Sequence, residues 1–141
     1  MSFGDAVSTC FSKYAVVSGR ASRSEYWFFQ LFIAILMLSL AVLGGISDVF
    51  QNSAVQEAGN ISLPGIIFGA GVFVLILGLF LPHLCVTVRR IHDTGASGWW
   101  YLLFFLPYAG GLIGIVWMCI PGTQGRNKYG PSPFDQPEDV F

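Results

Sequence analysis

The fold class the sequence predicts is an all-α integral membrane bundle: three apolar helical segments preceded by a short amphipathic interfacial helix. Two observations carry it. Only 11% of the 141 residues are charged while 54% are hydrophobic, against about a quarter charged in a soluble domain. A chain of this size with so few charges cannot cover its own surface in water. The charges are also excluded from three long runs. Residues 26–47 hold no Asp, Glu, Lys, Arg or His; residues 60–88 hold no titratable side chain beyond His83 and Cys85; residues 98–121 hold no charge. An α-helix crosses a hydrocarbon core of about 30 Å with about 20 residues at 1.5 Å each, and each run has that length. The expected organisation is one transmembrane domain over 1–121, with spans at 26–47, 64–88 and 98–121, and an irregular polar tail over 122–141.

In residues 1–17, Phe3, Val7, Cys10, Phe11 and Tyr14 recur at helical spacing with polar residues between them. Such a stripe suits a helix lying in the membrane interface or packed on the rest of the protein. Next, Ser22 and Glu25 fit the S-x-x-E capping box ahead of the first apolar run, each side chain serving the other's backbone amide. Arg20 and Arg23 suit lipid phosphates, and Tyr26 and Trp27 suit the interfacial aromatic belt. The first run exceeds the 7–15 residues of a signal peptide's apolar core and lacks an A-x-A-like exit, so it reads as an uncleaved span. Residues 48–59 read as a short polar loop, and Asn60-Ile61-Ser62 matches the glycosylation pattern, a common chance match.

The second span begins near Pro64, a position tolerated in a first turn. Its Gly65 and Gly69 form a small-xxx-small pair that admits a neighbouring backbone. Pro82 interrupts it late, Arg89 and Arg90 complement its C-terminal dipole, and Gly95 suits a C-terminal breaker. Ser97 is a candidate N-cap for the third segment. Trp99, Trp100 and Tyr101 open that segment, Pro107 to Gly111 resembles a turn at its centre, and Trp117 and Pro121 close it. The tail is rich in Gly, Pro, Asn and Asp and is expected to be extended and partly disordered.

Lys13, Arg20 and Arg23 precede the first span, Arg89 and Arg90 end the second, and residues 48–60 carry no Lys or Arg. The positive-inside rule then places the N-terminus in the cytoplasm. A full third crossing would put the tail outside, although Arg126 and Lys128 argue for the same side. Two arguments favour a kinked crossing over a re-entrant segment. A turn at mid-depth needs protein or water around its backbone, and Trp100 and Trp117 lie about 25 Å apart on a continuous helix, one for each interface.

Three polar motifs stand at the segment ends: GRASRSEYWFF at 19–29, RRIHDTGASGWW at 89–100 and PGTQGRNKYGP at 121–131. In order and spacing they resemble the YhaH-like family of small bacterial inner-membrane proteins, with Ile91 where that family usually has Leu. The resemblance covers essentially the whole chain. It implies an inner-membrane location and a multi-pass topology, and it brings no activity, cofactor or catalytic residue.

Chemistry has little to work with. His92 beside Asp93 suggests a base with an orienting carboxylate, but adjacent residues diverge on a helix. His83 and His92 are about 13 Å apart along one helix, too far to share an ion. Three cysteines without CxxC spacing give no metal or redox motif. Gly122 to Gly125 followed by Asn127 lacks the Lys-Ser/Thr of a phosphate loop. A net charge of −1 leaves no footprint for nucleic acid. The expected role is therefore a non-enzymatic accessory, scaffold or lipid-interacting component without a cofactor. Its expected partners are the bilayer and another membrane chain, its own copy or a different one. Arg20, Arg23, Arg89 and Arg90 form the candidate headgroup or partner contacts, and Glu25, His92, Asp93 and Asn127 are the remaining polar motif positions. The alternatives are a small oligomeric transporter or channel, motivated by Pro82, Pro107 and the glycines Gly65, Gly69, Gly110 and Gly114, and a lipid-modifying enzyme using His92 and Asp93.

Overall fold

The computed structural model describes residues 1–54 and 63–134, and for 47–54 the backbone alone. Among these residues it is helical, with one isolated antiparallel bridge between Asn127 and Gly130. The elements are α1 (Phe3–Ser12), α2 (Arg23–Ala54), α3 (Leu63–Asp93), a 3₁₀ helix η1 (Gly98–Phe105) and α4 (Gly110–Cys119). They fall into two compact units, Met1–Gln30 with Leu81–Phe141, and Leu31–Phe80. The Asn60-Ile61-Ser62 pattern and residues 135–141 lie outside the described residues.

In the Leu31–Phe80 unit α2 and α3 present apolar side chains outward: Leu38 and Val74 are each 67% exposed. Arg23–Ile46 and Leu63–Asp93 are long and apolar enough to cross a membrane, and only 6% of the most apolar window of each is buried. A soluble protein's core helix would be buried, so these faces require lipid. Gly69 meets nothing where a Cβ would stand; the close approach falls at Gly44, where the Phe68 ring comes within 3.0 Å of that position. The expected polar loop also starts later than residue 48, because α2 continues to Ala54.

The other unit holds α1, the entry to α2, the last turns of α3 and the third apolar segment. A full capping box opens α1: Ser2 Oγ accepts from the Asp5 amide, and the Asp5 carboxylate accepts from the Ser2 amide. Hydrogen bonding to Ser2 holds the Asp5 carboxyl below the usual carboxylate range. Ala6 and Cys10 are buried, and Phe3 and Phe11 pack edge-on against Phe28 and Phe29 while keeping 40% of their surface exposed. Helix α1 is thus packed on α2 and also keeps an apolar face outward. Helix α3 runs unbroken past Pro82 and ends as expected at Gly95, whose φ of +80° suits a residue without Cβ and whose amide bonds to His92 O. Ser97 stands at the N-cap of η1, but its side chain makes no cap bond.

The third segment departs from the favoured expectation of a kinked crossing. It folds back on itself: η1 and α4 pack together, and the Trp100 and Trp117 rings are 5.5 Å apart rather than at opposite ends of a rod. Both ends of the segment meet at the same place, since the Thr123 amide donates to Asp93 O at 2.9 Å. The turn answers the backbone objection locally. Pro107 has no N–H, the Ala109 amide bonds to Pro107 O, and the Gly110 amide bonds to Leu106 O. One glycine, Gly110, permits the fold-back. A Cβ on Gly110 would collide with the Phe104 carbonyl, and Gly114 faces the Phe104 ring.

Candidate functional site: a buried ion-paired knot of three motifs

Each polar motif contributes a charged or carbonyl group to one cluster. Asp93, at the last residue of α3, is its centre. Arg20 Nε donates to Asp93 Oδ1 at 2.8 Å, and Arg90 Nη1 pairs with Asp93 Oδ2 one turn back along the same helix. The rest of each guanidinium reaches the third motif: Arg20 donates to Gly125 O at 2.6 Å and to Thr123 O, and Arg90 donates to Ile120 O. The five-donor fork of arginine suits this, because one head can satisfy a carboxylate and two carbonyls together. Arg20 and Asp93 side chains are each 2% exposed and Arg90 is fully buried. Gly122 is required beside them, since a Cβ there would overlap the Asp93 carboxylate.

A second pair lies one residue earlier on α3. Arg89 Nη1 is 2.8 Å from Glu25 Oε1, with both side chains buried. The Cys10 thiol faces the same guanidinium, so one buried cation serves both Glu25 and Cys10. The Ala21 amide donates to Arg89 O, tying the first motif to the same turn. Cys10 Sγ stands 3.9 Å from Glu25 Oε1, and burial pushes its thiol up to about 12, with the Glu25 charge adding to the rise. The expected Ser22–Glu25 capping box is half present. Ser22 Oγ accepts from the Glu25 amide at 3.1 Å, but the Glu25 carboxylate serves Arg89.

The placement corrects the sequence expectation for three of the four arginines. Arg20, Arg89 and Arg90 are buried and ion-paired, so they do not form an exposed basic rim; a guanidinium that would otherwise sit unpaired in a low-dielectric interior must take a carboxylate partner. Arg23 alone of the four is exposed. His92 does not share a site with Asp93: its ring stacks on Tyr129 with centroids 3.8 Å apart. Asn127 Nδ2 donates to His92 O and to Thr123 Oγ1, and its Oδ1 accepts from the Tyr129 amide. Up to residue 134 the tail is therefore folded against the end of α3 rather than extended. His83 is hydrogen-bonded to Gln30 at 3.1 Å. Among the described residues no three His, Cys, Asp or Glu side chains converge to hold a metal. Sequence reasoning missed the pairings Arg20–Asp93 and Glu25–Arg89, since local spacing gives no signal for contacts between residues 73 and 64 positions apart. The one legible trace was the presence of lone acidic groups inside otherwise basic motifs.

Two long apolar helices, and a buried polar knot that gathers the start of α2, the end of α3 and the tail, define a small helical membrane protein. The chain belongs to the family described as "Protein of unknown function (DUF805)", whose model matches residues 14–131. It is similar to Inner membrane protein YhaI of Escherichia coli (strain K12), 40% identical over 120 residues that cover 85% of this chain and 87% of the relative. It is also similar to Inner membrane protein YhaH of the same organism, 40% identical over 126 residues, 88% of this chain and 92% of the relative. No solved structure matches the chain at a significant level. The expected resemblance is thus met, and with it a family whose biochemical role is unassigned.

Two measurements check the knot. Gly122→Ala forces a methyl group against the Asp93 carboxylate and is expected to lower stability by about 1–3 kcal/mol in a detergent thermal melt; an unchanged midpoint contradicts the packing. At pH 8 Cys10 holds about a thousandfold less thiolate than a free cysteine. A maleimide is therefore expected to label exposed Cys119 and spare Cys10. Because the Cys10 thiol titrates later in the folded state than in the unfolded one, its contribution to stability is full below pH 9 and lost as pH rises toward 12. Equal labelling of both thiols contradicts the buried position.

Proposed function

We propose that this protein is a non-catalytic component of the bacterial inner membrane, with two crossings, a re-entrant third segment, and both termini in the cytoplasm. In this role it is a scaffold that presents one folded polar face to lipid headgroups or to a partner membrane chain. The observation that carries the reading is the use of the motif side chains. Arg20, Arg90 and Asp93, and Arg89 with Glu25, are occupied with one another and with the 120–125 backbone, which is how a structural joint is built. A catalytic centre would instead aim a nucleophile or a base into a cleft.

The orientation is supported by charge. A re-entrant segment brings all seven Lys and Arg residues to one side, in keeping with the positive-inside rule. The meeting of Thr123 with Asp93 supports the same arrangement. With three arginines buried, the exposed cations Lys13, Arg23, Arg126 and Lys128 are the groups available to a headgroup or a partner.

A full-length fusion carrying a C-terminal fluorescent protein tests both halves. It is expected to fluoresce, because such a reporter folds only in the cytoplasm, while the matching alkaline phosphatase fusion stays silent. In mild detergent it is expected to elute with a second chain or with retained anionic lipid. An active phosphatase fusion overturns the topology, and a lone chain retaining neither protein nor lipid overturns the scaffold role.

A further inference from the structure

A groove of about 410 Å³ opens beside the last turn of α3, lined chiefly by Val17, Val88, Tyr101, Leu102, His92 and Tyr129. Its volume lies within the roughly 300–1,000 Å³ of ordinary small-ligand sites. Helix α3 has 31 residues, longer than the roughly 20 needed to cross hydrocarbon. That surplus length, with the charged Arg89, Arg90 and Asp93 at the C-terminal end, suits a last turn at headgroup level, where acyl chains meet their phosphates. Trp99 beside it is 79% exposed, as an interfacial tryptophan is.

A cation stands beside one wall of the groove. The Asn127–Gly130 bridge presents Lys128, whose Nζ stands 5.0 Å from the centre of the Tyr129 ring. Tyr129 is itself a wall of the groove and stacks on His92. Lys128 and neighbouring Arg126 are exposed, whereas Arg20, Arg89 and Arg90 are buried in ion pairs. An apolar slot at the membrane interface with an unburied ammonium at its edge complements an amphiphile with a negative head.

We infer that this groove seats an acyl chain of an anionic phospholipid, with the lipid phosphate at Lys128. The inference rests on the membrane reading above and deepens it, narrowing the headgroup contact from the four exposed cations to Lys128 in the tail turn of the third motif. His92 and Tyr129 form the wall against which the chain lies, and the hairpin supplies Tyr101 and Leu102 opposite.

The test uses the full-length protein in mild detergent, offered equal amounts of phosphatidylglycerol and phosphatidylcholine and read by native mass spectrometry. One retained phosphatidylglycerol is expected, preferred about fivefold over phosphatidylcholine, the effect of one lysine near a lipid surface. Lys128→Gln, an exposed change, is expected to abolish the preference while a lipid is still retained. Leu102→Trp, which fills the slot, is expected to lose lipid of both kinds, with circular dichroism checking that the variant remains helical. Glycerol phosphate, which has the head but no chains, is expected not to displace the lipid; displacement would mean a free-phosphate site and overturn the assignment. An undiminished preference in Lys128→Gln, or full retention in a helical Leu102→Trp, sinks the groove and leaves the scaffold reading standing. No lipid of either class on the wild-type protein sinks the groove too, and the scaffold then depends on a protein partner alone.

Discussion

An ionised carboxylate withdrawn from water at the end of a membrane helix must be surrounded by donors, and Asp93 is in that position. Desolvating a charge costs several kcal/mol even after relaxation, so its surroundings are strongly specified. Two guanidiniums meet it, one from the loop before α2 and one from the preceding turn of α3. Each has donors left over, and those donors reach the carbonyls of Ile120, Thr123 and Gly125. From one buried charge follows the meeting of three motifs that are far apart in the chain. The absence of a Cβ at Gly122 and the anchoring of the tail belong to the same constraint.

The hairpin follows from this arrangement. With residues 93 and 123 bonded together, the 29 residues between them must leave and return to the same point. An apolar sequence with a proline and glycines at its middle can do so, because the Ala109 and Gly110 amides bond within the turn and the arms meet with the Phe104 carbonyl against Gly110 and its ring beside Gly114. Trp117 Nε1 donates to Thr94 Oγ1 at 3.0 Å, a further tie between the returning arm and the end of α3. The exposed residues of both arms, among them Leu102, Phe105 and Leu112, are as apolar as those of a span, which is why composition alone does not separate the two cases.

What could be read in advance follows the range of the interactions involved. The two long apolar helices, the amphipathic first helix, the stop at Gly95 and the N-cap position of Ser97 are local matters of charge exclusion, periodicity and backbone geometry, and they are legible. The capping role of Ser22 was legible as well. The full role of Glu25 was not, because a residue 64 positions away claims its carboxylate. The arginines illustrate the same limit. Arg-rich ends of apolar runs ordinarily suggest lipid phosphate, and for Arg23 the structure is compatible with that. For Arg20, Arg89 and Arg90 the deciding fact is a partner brought by folding, which spacing does not encode. The fold-back of the third segment is not legible in spacing, because it depends on a turn in which Pro107 lacks a donor and the Ala109 and Gly110 amides bond to Pro107 O and Leu106 O.

A double-mutant cycle on Arg20 and Asp93 tests the central claim most directly, with unfolding free energies measured in a common detergent for wild type, Arg20→Gln, Asp93→Asn and the pair. Each single change leaves a buried group without its partner and is expected to cost about 3–5 kcal/mol. The double variant is expected to cost less than the sum of the two by about 1 kcal/mol or more, the signature of direct coupling. Losses that simply add, or an Asp93→Asn protein as stable as the wild type, would contradict the claim that this buried carboxylate holds the three motifs together.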